Sequence, residues 1–169
     1  MPIVAGDIDY HLSGGAANSD PDASLGGAIS STQITDASLH NLFDVVGSAE
    51  ASAGDTEYRC FYVKNAHGSL TLQNAVVWIQ TQTPSADTSV EIALAGEGVN
   101  GTAETVADES TAPVGETFSA PATEGAALSI GDIPAGQHQA IWVKRIVGSS
   151  ASAYNTDSVV IRVKGDTAA

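Results

Sequence analysis

Short apolar runs that alternate with polar residues dominate the chain from residue 57 onward, and this period of two constrains the fold more than any other feature. Strands are predicted at 57–64, 70–82, 89–95, 126–130, 137–147 and 158–164, with a short one near residue 118. Segment 70–82 is either one long strand or a bent pair. Segment 35–47 fits either a short helix or a strand, and its β-rich setting favours the strand. Seven or eight short strands without a convincing helix predict an all-β fold, an Ig-like or jelly-roll-like antiparallel β-sandwich.

The alternation also assigns side chains to faces of the predicted sheets. In the strand at 57–64, residues 58, 60 and 62 are expected on one face and residues 59, 61 and 63 on the other. In the next strand, Leu72 and Trp78 are expected to share a face. Both tryptophans, Trp78 and Trp142, lie mid-strand and are expected in the core. If exposed, they would instead form a platform on which sugar rings stack.

Residues 1–34 show no sustained period and are rich in Gly, Ser, Ala and Asp. Apolar side chains are nevertheless spaced along this segment. This combination predicts an extended N-terminal arm that lies on a partner, in front of a sandwich domain at 35–169. An unstructured terminus is the alternative. The residues predicted to anchor the arm are Ile3, Val4, Ile8, Tyr10, Leu12, Leu25 and Ile29.

The charge is strongly acidic and unevenly distributed. The chain of 169 residues has 20 Asp and Glu against 6 Lys and Arg, a net charge of −14. Such a surface repels nucleic acid and anionic membranes. The cations fall in three predicted strands, where they either lie separately or form a basic stripe that an acidic arm could bind. The members of this stripe would be Arg59, Lys64, Lys144, Arg145, Arg162 and Lys164.

No pattern of residues predicts a catalytic, metal or cofactor site. Cys60 is the only cysteine, so no intramolecular disulfide and no thiolate metal cluster can form. The four histidines lack zinc-like spacing and are expected at the surface or in turns. The paired acids at 7/9 and 20/22 do not match a calcium loop. Phosphate-binding and nucleophile motifs are also missing, so we expect a protein that is not an enzyme.

Membrane association is not expected either. The N-terminus lacks the basic start and apolar run of a signal peptide, and no apolar run approaches the ~20 residues of a membrane span. We therefore expect synthesis and retention in the cytoplasm of the producing cell.

Four stretches resemble a known class of proteins: GDTEYRCFYVKN at 54–65, TLQNAVVWI at 71–79, IPAGQHQAIWVKR at 133–145 and DSVVIRVKGDT at 157–167. In this order, and behind DIDYHLSGGAANSDPDASLGGAISS, they resemble Ig-like β-sandwich structural proteins of tailed-bacteriophage virions. The resemblance covers most of the chain, and its motifs describe architecture rather than chemistry.

The resemblance implies a virion component, a capsid decoration (cement) protein above all. Its partners would be the major capsid protein or another virion protein, together with further copies of itself. A trimer would match lattice symmetry, although the sequence fixes no number. Three alternatives remain open: a minor protein of the tail, collar or vertex, a carbohydrate-binding module for host attachment, and a hydrolase. The hydrolase would need carboxylates with a raised pKa that converge in a cleft.

Overall fold

The computed structural model describes residues 1–167, which form an antiparallel β-sandwich, so the predicted fold class is confirmed. One sheet has four strands in the order β1-β3-β8-β5, and the other has three in the order β7-β4-β9. A two-stranded ribbon of β2 and β6 lies outside them. The strands are β1 Ile8–Leu12, β2 Gly26–Gly27, β3 Asp55–Asn65, β4 Leu72–Thr81, β5 Thr88–Leu94, β6 Ala103–Thr105, β7 Leu128–Ile133, β8 His138–Val147 and β9 Val160–Thr167. Of the predicted tail at 165–169, residues 165–167 belong to β9, and the last two lie outside the described residues.

The four-stranded sheet is buried on both faces because its central strands carry apolar residues at successive positions. One face packs on the three-stranded sheet through residues such as Phe61, Val77 and Ile141. The opposite face packs under the β2–β6 ribbon through residues such as Tyr62 and Trp142. The predicted division of β3 into two faces is therefore confirmed.

The predicted shared face of Leu72 and Trp78 is wrong because β4 contains a bulge. Asn74 adopts a left-handed conformation with φ 50°, and the pairing register shifts on both sides of β4 between residues 72 and 76. One extra residue reverses the alternation. Leu72 and Val77 consequently face the core between the sheets, whereas Trp78 lies opposite Arg162 on β9.

Segment 35–47 forms no regular strand, and a helix follows it. The helix α1 spans Ser48–Ala53, outside the segment for which a strand was predicted, and its Ala and Glu residues favour helix. The Glu50 carboxylate accepts a hydrogen bond from the Gly47 amide at 2.6 Å, which fixes the first turn. The strand predicted at 35–47 is therefore wrong.

Residues 1–34 fold onto their own sandwich, so the predicted extended arm is also wrong. We call these residues the N-terminal lobe. Its strand β1 pairs with β3 from Ile8 opposite Asn65 to Leu12 opposite Phe61. Backbone pairing with residues of the same chain satisfies the amides that an arm would offer to a neighbour. Among the predicted anchors, only Val4 stays exposed, at 59%. The anchors that pack on the core between the sheets are Ile3, Ile8 and Tyr10, and those that pack on the outer face are Leu25 and Ile29, while Leu12 is fully buried.

Two edges of the four-stranded sheet are covered by the chain itself. At β5, the Gln82 side chain exchanges two hydrogen bonds with the Val90 backbone, at 2.8 and 2.9 Å. Ile92 and Ser119 exchange two backbone hydrogen bonds further along, at 2.8 and 3.0 Å. At β1, segment 30–34 bonds to the outer edge. Exposed edges promote sheet-to-sheet association, and these contacts suppress it.

Candidate functional site

The basic residues do not form the predicted stripe. Arg59 and Lys64 on β3 and Lys144 and Arg145 on β8 belong to the four-stranded sheet, whereas β9 with Arg162 and Lys164 belongs to the other. Alternation then separates neighbours, because Arg145 points toward the inter-sheet side and Lys144 toward the opposite side. Most of these cations are also paired with carboxylates of the same chain. The predicted stripe is therefore wrong, and the predicted docking of an acidic arm on it is lost with it.

The most concentrated set of charges lies at one end of the sandwich, and we call it the ion cluster: Asp44, Glu57, Arg59, Glu109 and Arg145. Arg145 donates to the Asp44 carbonyl at 2.7 Å and to its carboxylate at 3.1 Å, and it also pairs with Glu57. Arg59, fully buried, pairs with Glu109 and donates to the Tyr58 carbonyl at 3.2 Å.

The ring of Phe43 lies against both guanidinium groups, 4.8 Å from that of Arg145 and 5.5 Å from that of Arg59. Glu57 is only 1% exposed, and burial raises the pKa of its carboxyl group while the neighbouring Arg145 opposes that rise. The cluster thereby fastens segment 43–44 and the loop at Glu109 to the sheet.

The carboxylates of Asp44, Glu57 and Glu109 each bring an oxygen within 4.8 Å of the others, the spacing of a cation site. Each carboxylate, however, already contacts a guanidinium group. A metal ion would have to share these oxygens with two fixed positive charges, which disfavours it. The chemistry that this geometry supports is ion pairing that holds loops in place.

Several of the remaining carboxylates accept hydrogen bonds from backbone amides of other segments of the chain. Asp87 accepts from Ser152 at 2.8 Å, and Asp157 accepts from Ser85 at 3.1 Å. Further acceptors of this kind are Glu97, Glu104, Glu116 and Asp132. The acidic residues therefore hold backbone segments in place in addition to charging the surface, because a carboxylate is a strong acceptor for an amide.

The two tryptophans offer no exposed face on which a sugar ring could stack. Trp142 is 0% exposed and Trp78 is 6% exposed, so the platform considered for carbohydrate is wrong and the expected core placement is right. The expected position of the histidines, at the surface or in turns, fails for His11, which is buried on β1 with Nδ1 at 2.9 Å from the Ser30 carbonyl oxygen. It also fails for His138, which is half-buried on β8.

Two shallow depressions border the N-terminal lobe. The larger one, of about 340 Å³, lies where the lobe meets β6 and is lined by backbone and small side chains, including Gly15, Gly27 and Thr105. The smaller one, of about 230 Å³, lies between the lobe and residues 35–41 and includes Leu39. Neither brings together charged side chains that could perform chemistry.

Comparison with family models, curated proteins and solved structures finds no match for this chain. Among the described residues, no helix has the length and hydropathy to cross a membrane.

Proposed function

We propose that this chain is a non-catalytic structural protein of a tailed-bacteriophage virion, of the capsid decoration type, that acts by binding the major capsid protein or another virion protein. The observation that carries the proposal is that many charged side chains bind other segments of the same chain. Buried arginines and loop carboxylates tie segments of the sandwich to each other, which makes a rigid unit suited to repeated packing. The resemblance of the strand motifs to virion sandwiches supports the same proposal.

The surface charge favours a protein partner over a nucleic acid. Four of the cations lie in ion pairs, namely Arg59, Lys144, Arg145 and Lys164. What the surface presents is therefore an excess of carboxylates, which repels polyanions. Exposed apolar side chains are the natural contacts for a protein partner. Besides the N-terminal Met1, those among residues 1–167 are Val4, Leu39, Val45, Val114, Tyr154 and Val160.

The test is quantitative mass spectrometry of purified particles from the source of this sequence. A decoration protein is expected at a copy number comparable to that of the major capsid protein, because it follows the lattice. A few copies per particle would instead support a minor protein of the tail, collar or vertex. Absence from purified particles would refute the virion proposal.

A second experiment locates the contact surface. Each exposed apolar residue is replaced by Asp in turn, and the variant is added to particles that lack the protein. Aspartate at the contact should abolish binding, since a buried unpaired charge is costly. Unchanged binding by all six variants would contradict an apolar contact. A glycan array is the corresponding test for carbohydrate binding, which the buried tryptophans do not favour.

A further inference from the structure

The N-terminal lobe is bonded internally as a unit. Within it, Leu12 donates to the Thr32 carbonyl at 3.0 Å and Ser30 donates to the Leu12 carbonyl at 2.8 Å. Across the lobe, Gly15 donates to the Ala28 carbonyl at 2.8 Å. These bonds join residues 12–15 of the lobe to residues 28–32 of the same lobe.

The lobe is also attached to the rest of the chain by a specific surface. The ladder between β1 and β3 is one part of it. The Tyr62 hydroxyl donates to the Gly27 carbonyl at 2.6 Å, and the Val106 amide donates to the Leu25 carbonyl at 3.0 Å. Every partner of the lobe in this surface belongs to residues 42–167, which we call the body. A second copy of the chain presents the same surface.

The connection between lobe and body is exposed and strained. Residues 35–41 form this hinge, and within the described residues their hydrogen bonds are local: Ala37 to Asp36 and Asn41 to Thr35. Ala37 and His40 both have φ of 55°, a left-handed conformation that L-residues with a side chain rarely adopt. Leu39, between them, is 70% exposed. The closed hinge thus holds two unfavourable backbone conformations and an uncovered apolar side chain.

From these three observations we infer that the N-terminal lobe exchanges between copies of this chain, with the lobe of one copy docked on the body of another. Extending the hinge relieves both left-handed residues and breaks no hydrogen bond between the hinge and the body. Seven extended residues span about 23–25 Å, which lets a lobe reach an adjacent body. After exchange, every contact between a lobe and a body forms again, now between two copies. Exchange therefore relieves the backbone strain of the hinge and keeps the contact surface. The inference deepens the proposed assembly function by naming a second copy as the partner.

Disulfide trapping between differently tagged copies tests the exchange. Asp9 of the lobe lies directly opposite Lys64 of the body in the β1–β3 pairing. Opposed cross-strand residues have Cβ atoms ~4.5–5.5 Å apart, close enough for a disulfide after small adjustments. One copy carries D9C and a large tag, and the other carries K64C and a small tag. They are co-expressed, purified together and oxidised. The native Cys60 is fully buried, and burial raises the pKa of its thiol, so it does not compete.

Exchange predicts a covalent product with the summed mass of the two tagged chains. The double variant D9C/K64C on a single chain is the control that shows the pair can close. If that control forms its disulfide and the mixture yields only the separate chains, the exchange is refuted. This assay uses purified chains and no particles. A negative result would therefore refute the exchange but leave the virion proposal standing, and absence of the chain from particles would refute the virion proposal but leave the exchange standing.

Hinge variants test the physical cause. A37G/H40G removes the penalty of the left-handed conformations and should lower the yield of the mixed product roughly tenfold or more. S38G adds flexibility at a hinge position without positive φ, and its yield should stay close to that of the unmodified hinge. Equal yields for A37G/H40G and S38G would overturn the role assigned to hinge strain.

Discussion

The hydroxyl of Tyr62 makes the most sharply testable contribution to the packing of the outer layer. It accepts a hydrogen bond from the Ala103 amide at 2.9 Å and donates one to the Gly27 carbonyl at 2.6 Å, so one oxygen joins the β2–β6 ribbon to the four-stranded sheet. Burial raises the pKa of Tyr62 to about 12, which keeps the hydroxyl protonated and able to donate at neutral pH.

Replacing this residue, in Y62F, removes the hydroxyl while keeping the ring. The Ala103 amide is buried and loses its partner, whereas the Gly27 carbonyl is partly exposed and can bond to water. An unsatisfied buried group costs about 1–3 kcal/mol, so we expect a loss of about 2 kcal/mol in the free energy of unfolding. For a chain of this length that corresponds to a fall of about 4–8 °C in Tm.

Urea denaturation and calorimetry measure the loss. The matched control is Y154F, because Tyr154 is 52% exposed and should lose almost nothing. The reasoning is refuted if Y62F unfolds within ~0.5 kcal/mol of the unmodified chain, or if Y154F loses as much.

Three further predictions concern backbone space, the ion cluster and pH. G26A should cost about 3–5 kcal/mol, because a Cβ at φ 88° would lie 1.7 Å from a backbone oxygen of β6, whereas G15A, at φ 97° in open space, should cost only ~1–2 kcal/mol. R145A should cost about 3–5 kcal/mol at neutral pH by stranding the charge of Glu57, and this loss should shrink on acidification, because burial already raises the pKa of Glu57. Burial lowers the pKa of His138 in the folded chain below its ordinary value of 6.5. The stability that the neutral ring contributes is therefore present above pH 6.5 and is lost as the pH falls through the lower pKa of the folded state. H138Q should flatten this dependence of the unfolding free energy on pH.

Chemical denaturation over a range of pH reads out these variants, and exposed residues provide the controls. R162A removes an exposed cation and should change the unfolding free energy little. For H138Q, the unmodified chain measured over the same pH range is the reference. Equal losses for R145A and R162A would contradict the buried ion cluster. A pH profile that H138Q leaves unchanged would contradict the assignment to His138.

The strands after residue 57 could be predicted because the alternation of apolar and polar residues indicates which side chains are buried. This pattern misleads wherever the backbone departs from regular strand pairing. The sequence at 70–82 allowed a bent pair of strands, but it did not place the bend at Asn74, where a bulge moves Trp78 to the other face from Leu72. Likewise, the small residues that form α1 carry no apolar period, which is the signal by which a helix is predicted, so this helix was missed.

The position of the N-terminal lobe depended on contacts far apart in sequence. The apolar residues of segment 1–34 were recognised, yet their spacing holds no information on whether they pack on their own chain or on another. The ion cluster did leave a signal in the sequence. Glu57 and Arg59 lie two residues apart on the same face as Phe61, and a charged pair facing a core requires buried partners.

The confinement of every Lys and Arg to β3, β8 and β9 has a consequence for digestion. Trypsin cleaves only after these residues and needs the surrounding chain to be unpaired. Exposed loops, where nicking normally begins, contain none of its target bonds. Digestion of the native molecule must therefore wait until a strand leaves its sheet, so the loops can be long and accessible without becoming weak points in a trypsin-rich medium.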